Sequence, residues 1–345
     1  MAVNAHHKPY LTMLMERVSL IQTPTPLHKL ERLSEMLSAD LWIKRDDLTG
    51  FAGGGNKGRK LEFLIADALK KGADTVVTRG AYQSNFVRQC AGACAMFGLE
   101  FHAVVMHWPF PALGRETNPG NWEMKNELTG NAVLNKWLGA HIHVAQDNTF
   151  SHMHETATEL AEKLRNQGKK VYQIPGGGSN EIGALGFVRG FDELCQQAEP
   201  FDAIVFGSGS GGTQTGLTLA ARRANVKTRI IGICTDNEPE MVDDFVEIAE
   251  PLAVITHTPL KLTAEDFDMR LDYHGGGYQV PNKETNDAIR LLARTEGIFL
   301  DPVYTGKAFV GFLDLVRKKE ITGRVLFWHT GGVPVLFAEG REPKD

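Results

Sequence analysis

Short apolar runs rich in β-branched residues alternate with amphipathic segments along nearly all of this 345-residue chain. This alternation predicts an α/β protein whose mostly parallel sheet is covered by helices on both faces. At about 150 residues per domain, the length predicts two domains. The predicted strands are Leu41–Lys44, Thr75–Thr78, Phe101–Met106, His141–Val144, Val171–Ile174, Ala203–Phe206, Arg229–Ile233 and Val325–His329.

Two of the intervening segments have clear helical patterns. Lys57–Lys71 places its apolar residues on one face and ends at Gly72, and His152–Gln167 ends at Gly168. The stretch Trp108–Trp122 contains three prolines and several large aromatic residues, so it predicts a surface loop.

The charge is nearly balanced, since 37 basic and 42 acidic residues give a net charge of -5 without a basic block. This charge balance favours a small-molecule partner over nucleic acid or a membrane surface.

No apolar run reaches the roughly 18 residues of a transmembrane helix, and Met1–Lys8 lacks the apolar core of a signal peptide. Cys90 and Cys94 share one face of a predicted helix, while Cys195 and Cys234 are isolated. We therefore expect a cytoplasmic protein with unpaired thiols.

The first candidate for chemistry is Lys57, which follows the glycines of Gly53–Gly55 at the start of a predicted helix. The positive field at this position lowers the pKa of a lysine, and the neutral amine can then attack a carbonyl carbon. Arg59 and Lys60 lie in the same turn, where they would lower the pKa of Lys57 further or bind an anion. A solvated lysine at a helix start is the alternative.

The second candidate is the glycine loop, Gly207 to Thr213, which follows the strand Ala203–Phe206 and precedes a helical segment. Its successive backbone N–H groups and hydroxyls can form a cradle for a phosphate. The same letters match the dinucleotide pattern G-x-G-x-x-G, with Asp236 as a loose candidate for the required acidic residue. A glycine-rich turn without a ligand is a third explanation.

The third candidate is the pair Ser84 and Asn85, shortly after the strand Thr75–Thr78. Both residues can cap the following helix, and the free N–H groups at its start would accept a carboxylate. Capping alone would also explain them.

Together these motifs resemble a known family, the tryptophan synthase β-like, fold type II pyridoxal-phosphate enzymes, in the branch of 1-aminocyclopropane-1-carboxylate deaminase and D-cysteine desulfhydrase. The resemblance covers nearly the whole chain. It rests on Thr23-Pro24-Thr25-Pro26-Leu27, Lys44-Arg45-Asp46-Asp47, Gly54-Gly55-Asn56-Lys57, Gln83-Ser84-Asn85, Ile174-Pro175-Gly176-Gly177, Asp301-Pro302-Val303-Tyr304 and His329-Thr330-Gly331-Gly332.

The resemblance implies three-layer architecture, with parallel sheets flanked by helices in two domains. Pyridoxal 5'-phosphate would lie in the cleft between them. We expect the larger, cofactor-binding domain to comprise residues 1–60 and 175–345, and the smaller domain to comprise residues 61–174. The family also implies a homodimer.

The resemblance assigns a role to each matched residue. Lys57 would form the Schiff base with the cofactor and, once freed, would take the Cα proton of the substrate. Asn85 would bond the phenolic oxygen of the cofactor ring, and Ser84 would hold the substrate carboxylate. Tyr278 and Tyr304 match active-site tyrosines that would act on the leaving group or tune the lysine, because a phenol beside a cationic amine has a lowered pKa. The cofactor phosphate would be held by Lys60, Ser210, Gly211, Gly212 and Thr213.

Two positions distinguish the reactions within this branch. The deaminase motifs resemble Asp-Pro-Val-Tyr-Glu and His-Leu-Gly-Gly, whereas this chain has Thr305 and Thr330 at those positions, as the desulfhydrases do. A carboxylate would keep the pyridine nitrogen protonated for ring opening, while a threonine hydroxyl gives a weaker bond that suffices to expel a β-thiolate. We therefore predict a lyase that eliminates the β-substituent of D-cysteine, giving pyruvate, ammonia and hydrogen sulfide.

Three other enzyme activities stay open. 1-Aminocyclopropane-1-carboxylate deaminase and L-cysteate sulfo-lyase belong to the same branch. Phe86 replaces a residue that is usually a polar Gln or His, and Gly58 replaces a frequent Thr, which leaves the β-substituent undetermined. An NAD-dependent oxidoreductase would leave Lys57 and the pair Ser84-Asn85 without roles.

A metal centre is not expected from the sequence. His141 and His143 form one close pair, and His152 and His154 form another, but neither pair has a clustered cysteine or carboxylate beside it. We predict that these are strand or surface histidines.

Overall fold

The computed structural model of the chain describes residues 15–106, 128–145, 150–236, 238, 240–280 and 282–338. The predicted loop Trp108–Trp122 lies outside the described residues. The strands are β1 (Leu27–Lys29), β2 (Asp40–Arg45), β3 (Thr75–Ala81), β4 (Glu100–Met106), β5 (His141–Val144), β6 (Val171–Gln173), β7 (Ala203–Ser208), β8 (Arg229–Cys234), β9 (Asp268–Arg270) and β10 (Arg324–His329). The helices are α1 (Glu31–Leu37), α2 (Lys57–Lys70), α3 (Asn85–Phe97), α4 (Gly130–Trp137), α5 (Phe150–Asn166), α6 (Glu181–Gln197), α7 (Gly212–Arg223), α8 (Met241–Ile255), α9 (Lys283–Glu296) and α10 (Thr305–Arg317).

These strands form two sheets, and the predicted α/β class is confirmed. The larger sheet has the order β1-β2-β10-β7-β8-β9, and the smaller has the order β5-β4-β3-β6. All described pairings are parallel except β1 with β2. All eight predicted strands are present, while the three-residue strands β1 and β9 were not predicted. Both predicted helices are confirmed within two residues at each end.

Both sheets are buried on two faces, because successive side chains of a strand point to opposite sides. In β10, Leu326 and Trp328 join one apolar cluster with α6 and α7, whereas Val325 and Phe327 join another with α9 and α10. In the smaller sheet, Val76 of β3 packs with α2 and α3, and its neighbour Val77 packs with α5. This gives the three-layer arrangement that was predicted. Among the described helices, none is long and apolar enough to cross a membrane.

A buried network of charges fixes the first turn of α2. Arg59 donates to Asp46 at 2.7 Å and 2.8 Å and to Glu193 of α6 at 2.9 Å and 3.1 Å. Lys44 of β2 pairs with Glu193, and the Trp328 indole donates to Asp46 at 2.8 Å. Although burial opposes its charged form, bonds from Arg59 and Lys44 lower the pKa of Glu193 to about 2. The network therefore links α2 to β2, α6 and β10.

Candidate active site

The carboxyl ends of three strands bring the candidate residues to one region. The segment after β3 contains Ser84 and Asn85, the glycine loop follows β7, and Thr330 follows β10. In parallel sheets, helix N-termini and loops converge at these strand ends, where ligands usually bind.

Lys57 is the first residue of α2 and is partly buried. Within the described part of the chain, its Nζ makes no hydrogen bond or ion pair. Burial lowers the pKa of Lys57 from 10.5 to about 8. The predicted lowering of the Lys57 pKa is confirmed. Its cause is burial rather than crowding by Arg59, because the Arg59 guanidinium binds Asp46 and Glu193. A lowered pKa increases the fraction of neutral amine, which is the form that attacks a carbonyl carbon.

The turn before Lys57 is held from both sides. Arg88 and Gln89 of α3 donate to Gly54 O at 2.7 Å and 2.9 Å, and Asn56 N donates to Thr330 O at 2.9 Å. A side chain at Gly54 would place its Cβ 2.0 Å from the Asp47 carbonyl, and φ is +77° there. Only glycine fits this turn, which fixes the position of Lys57 relative to both sheets.

Lys60 lies one turn further along α2 and reaches the glycine loop. Its fully buried ammonium donates to Gly177 O at 3.1 Å and to Ser179 Oγ at 2.9 Å. Burial and the nearby charge of Lys57 lower the pKa of Lys60. Among the described residues, no carboxylate pairs with this ammonium. Because its described partners are neutral, nothing among them compensates the charged form of Lys60, and an incoming anion would supply that compensation.

Ser179, which was not predicted from the sequence, joins Lys60 to the glycine loop. Its hydroxyl bonds Ser210 Oγ at 2.8 Å and accepts from Gly212 N at 3.2 Å. A Cβ at Gly177 would lie 2.1 Å from Ser210 Oγ, so this approach needs glycine. The glycine run that precedes Ser179 was the available signal. Asn56 Nδ2 reaches Thr213 Oγ1 at 3.5 Å on the other side of the loop. Lys60, Ser210, Gly212 and Thr213 are thus brought together, with Gly211 at φ +85° before α7.

Ser84 and Asn85 begin α3. Ser84 is the N-cap and accepts from Val87 N at 3.3 Å, which confirms the predicted capping. Asn85 Oδ1 accepts from Asn131 Nδ2 at 2.9 Å. This contact orients the Asn85 amide so that its NH2 group can donate to a ligand.

Tyr278 and Tyr304 form a hydrogen-bonded pair through their hydroxyl groups, and their rings meet edge to face at 5.5 Å. Burial raises the pKa of Tyr278 to about 12, and burial with the partner phenol raises the pKa of Tyr304 well above 10. The expected lowering is therefore wrong for this structure. Asp236 Oδ1 accepts from Tyr278 N at 3.0 Å, so it positions this tyrosine.

Thr305 is the first residue of α10 and Thr330 follows β10, and the hydroxyls of these two threonines differ in their partners. Thr305 Oγ1 donates to Asp301 Oδ2 at 2.8 Å and approaches Gly331 O at 3.4 Å. Asp301 also accepts hydrogen bonds from the backbone N–H groups of residues 303, 304 and 305, so both of its carboxylate oxygens are already engaged. Within the described residues, the Thr330 hydroxyl has no such partner. Thr330 is therefore the freer donor of the two.

Two departures from the family pattern have structural explanations. Phe86 is 2% exposed and packs in the core beneath Gly178, where a Cβ would lie 2.6 Å from its ring. Phe86 therefore contributes to packing beneath the site, and it is not an exposed pocket residue. At Gly58, a Cβ would lie 2.3 Å from Ile21 Cγ2, which leaves no room for the Thr of relatives.

Comparisons with known proteins agree with this geometry. A family model described as pyridoxal-phosphate dependent enzyme matches residues 18–331. D-cysteine desulfhydrase of Yersinia enterocolitica is 41% identical over 333 residues, which cover 93% of this chain and 95% of that protein. The crystal structure of an ACC deaminase homologue has a TM-score of 0.87 at 38% identity, covering 97% of this chain and 98% of that one.

A more distant structure shares the fold alone. The processed threonine deaminase isoform 2 of Solanum lycopersicum has a TM-score of 0.64 at 16% identity, covering 94% of this chain and 83% of that one. The NAD-dependent alternative is wrong, because the family model assigns a different cofactor to the whole region that contains the glycine loop. A cofactor with a phosphate and an aldehyde fits Lys60, which is buried without a carboxylate partner among the described residues, and Lys57, whose pKa is lowered. The chain belongs to the family of pyridoxal-phosphate-dependent enzymes.

Proposed function

We propose that this chain is a lyase that converts D-cysteine and water into pyruvate, ammonia and hydrogen sulfide. The observation that carries the proposal is the pair Thr305 and Thr330, which offers hydroxyls near Gly331, where the nearby carboxylate of Asp301 is already engaged by hydrogen bonds. The name of the relative from Yersinia enterocolitica supports the same substrate. A hydroxyl forms a neutral hydrogen bond to a pyridine nitrogen, which suits expulsion of a thiolate more than opening of a cyclopropane ring.

We assign the cofactor contacts as follows. Lys57 would hold the cofactor covalently, and Asn85 would donate from Nδ2 to the phenolic oxygen of the ring. Thr330 would donate to the ring nitrogen, and Thr305 would do so after its hydroxyl turns from Asp301. The phosphate would be bound by Lys60, Ser210, Gly211, Gly212 and Thr213. Lys60 supplies the positive charge that the backbone N–H groups of the glycine loop lack.

When bound, pyridoxal phosphate supplies an electron sink that stabilises negative charge at Cα of the substrate. Ser84 and the N–H groups at the start of α3 would orient the substrate carboxylate. Lys57 Nζ, freed when the substrate amine replaces it, would accept the Cα proton. The position of Lys57 is fixed by the turn at Gly54, so the amine stays near the carbon from which it takes the proton.

The tyrosine pair would handle the leaving group. Because their pKa values are raised, Tyr278 and Tyr304 keep their protons at neutral pH. A protonated phenol can donate a hydrogen bond to the sulfur as it departs from Cβ as hydrosulfide. The Cα proton would go to Lys57, the C–S bond would break, and Lys57 would then give up its proton so that hydrogen sulfide forms. Water would release ammonia from the remaining three-carbon unit to give pyruvate.

The test is product release by the cofactor-loaded protein from D-cysteine, L-cysteine, L-cysteate and 1-aminocyclopropane-1-carboxylate. We expect equal amounts of pyruvate and sulfide from D-cysteine. Preferred formation of 2-oxobutyrate from the cyclopropane substrate, or of sulfite from L-cysteate, would overturn the proposed substrate. The cyclopropane substrate is included because the ACC deaminase homologue has a similar structure.

Replacing Lys60 should weaken cofactor binding without removing the covalent link. A charge-assisted hydrogen bond contributes about 1.5–3 kcal/mol, so Lys60→Met should raise the Kd of pyridoxal phosphate roughly 10–150-fold. Titration of the stripped protein, followed by visible absorbance, measures this change. Lys70→Met is the matched control, because Lys70 is an exposed lysine at the end of the same helix. Equal Kd values for the two variants would contradict the role of Lys60.

We also propose the predicted domain boundaries, 61–174 and 1–60 with 175–345. These boundaries are supported by the sheet order: the strands of the smaller sheet lie between residues 75 and 173, whereas the strands of the larger sheet lie before and after this range in the chain.

A cytoplasmic location is supported by the four free cysteines. A homodimer is proposed on the resemblance to the family, and the exposed Trp137 of α4 is a residue that such an interface could cover.

A further inference from the structure

A cluster of metal-binding residue types lies on the smaller sheet. In the pairing of β4 with β5, His102 is opposite His141 and Val104 is opposite His143. Glu100 lies two residues before His102 and therefore points to the same face of the sheet. Four side chains from two neighbouring strands thus share one surface. This cluster was not predicted from the sequence, because Glu100 and His141 are distant along the chain.

The side chains of this histidine cluster, Glu100, His102, His141 and His143, are close enough to act together. The candidate ligand atoms of Glu100, His102 and His141 all lie within 4.8 Å of one another. Metal–ligand bonds of about 2.0–2.2 Å place two ligand atoms of one ion up to roughly 4 Å apart. His141 is exposed at the start of β5, so rotation of its ring can close the remaining distance.

His102 has the hydrogen bonds that a metal-binding histidine needs. Its Nδ1 lies 3.0 Å from His143 Nε2, and its Nε2 lies 2.8 Å from Glu100 Oε1. When His102 Nδ1 donates to His143, His102 Nε2 carries a lone pair that faces the Glu100 carboxylate. A cation bound by both His102 Nε2 and Glu100 Oε1 would remove the repulsion between these two acceptors. A hydrogen bond at the second ring nitrogen is the usual way in which proteins orient a metal-binding histidine.

We propose that Glu100, His102 and His141 bind one divalent transition-metal ion, with His143 orienting His102. Two imidazoles and one carboxylate suit Zn²⁺ and Co²⁺, and water would complete the coordination. Lys169 pairs with Glu100 Oε2, which leaves Oε1 as the ligand atom. The positive charges of Lys169 and of Lys163 near His143 oppose cation binding, so we expect moderate affinity.

This site lies apart from the proposed active site. Glu100 and His141 are the first residues of their strands, whereas the proposed active site is at the carboxyl ends of the strands, roughly 20 Å away along a strand of this length. The metal would connect the edge strand β5 to β4. We therefore expect it to stabilise the smaller sheet and to leave elimination unchanged.

Calorimetric titration of the EDTA-treated holoenzyme with ZnCl2, in the absence of substrate, tests the proposal. We expect the wild type to bind one Zn²⁺ ion per chain in a saturable manner. His154→Ala, which removes an exposed histidine of α5 outside the cluster, should bind the same equivalent. His141→Ala should lose this equivalent, and His143→Ala should weaken it about 10–100-fold. Bound Co²⁺ should give the visible absorption of an ion with few ligands in the proteins that retain His141, and not in His141→Ala. No saturable binding, or an equivalent retained in His141→Ala, would overturn the proposal whatever the substrate of the enzyme is.

Discussion

Lys57→Ala should abolish turnover while the protein stays folded. The substitution removes the amine that would bind the cofactor covalently and that would take the Cα proton. A positioned general base alone contributes about 10²–10⁴-fold to a rate, so we expect a loss at least that large. Pyruvate release measures the loss, and the visible absorbance of lysine-bound cofactor should disappear with it.

The fold should tolerate this change because Lys57 Nζ has no hydrogen bond or ion pair among the described residues. Lys70→Ala, at the exposed end of the same helix, should retain full activity and absorbance. Excess methylamine offers a further control, since a small amine in solution can replace part of a missing base. Substantial unassisted activity in Lys57→Ala would contradict the assigned role.

Arg59→Met should be the most destabilising single substitution near the site. Arg59 binds the carboxylates of Asp46 and Glu193, both well buried, and its guanidinium lies 5.8 Å from the Trp328 ring centre. Removing one partner from a buried charge network costs about 3–5 kcal/mol, because the remaining charges lose their compensation. Urea denaturation measures the free energy of unfolding. Arg222→Met, which removes an exposed pair with Asp266, should cost less than about 1 kcal/mol.

The same network predicts a pH dependence of stability. The pKa of Glu193 is lowered from 4.5 to about 2, so its stabilising effect is complete above about pH 4.5 and is lost as the pH falls towards 2. In Arg59→Met the pKa of Glu193 should rise, and stability should therefore fall less steeply across this range. An equal slope for wild type and variant would show that Arg59 does not hold the Glu193 charge.

The sequence predicted those features that neighbouring residues determine. Eight of the ten described strands, the glycine loop before α7 and the capping by Ser84 each follow from local pattern. The strands β1 and β9 were missed because each has one apolar residue among three, whereas β6, of equal length, lies in the predicted run Val171–Ile174. The resemblance to a family supplied Lys60 and the tyrosines, whose proximity no local pattern predicts.

Contacts between distant segments could not be predicted. Ser179 reaches Lys60 only because α2 and α6 pack side by side, and Glu100 meets His141 only through the register of β4 and β5. The raised pKa of Tyr304 also depends on long-range packing, since burial and Tyr278 outweigh any nearby cation. Such effects arise from the assembled fold, so no local sequence pattern indicates their sign or partner.

In the proposed mechanism, two lysines in the first turn of α2 have separate roles. Lys57 would bind the cofactor covalently, and Lys60 would bind its phosphate. Borohydride reduction of the holoenzyme, followed by mass mapping of its peptides, tests this directly. We expect the phosphopyridoxyl group on Lys57 alone. A label on Lys60, or one spread over several surface lysines, would contradict it.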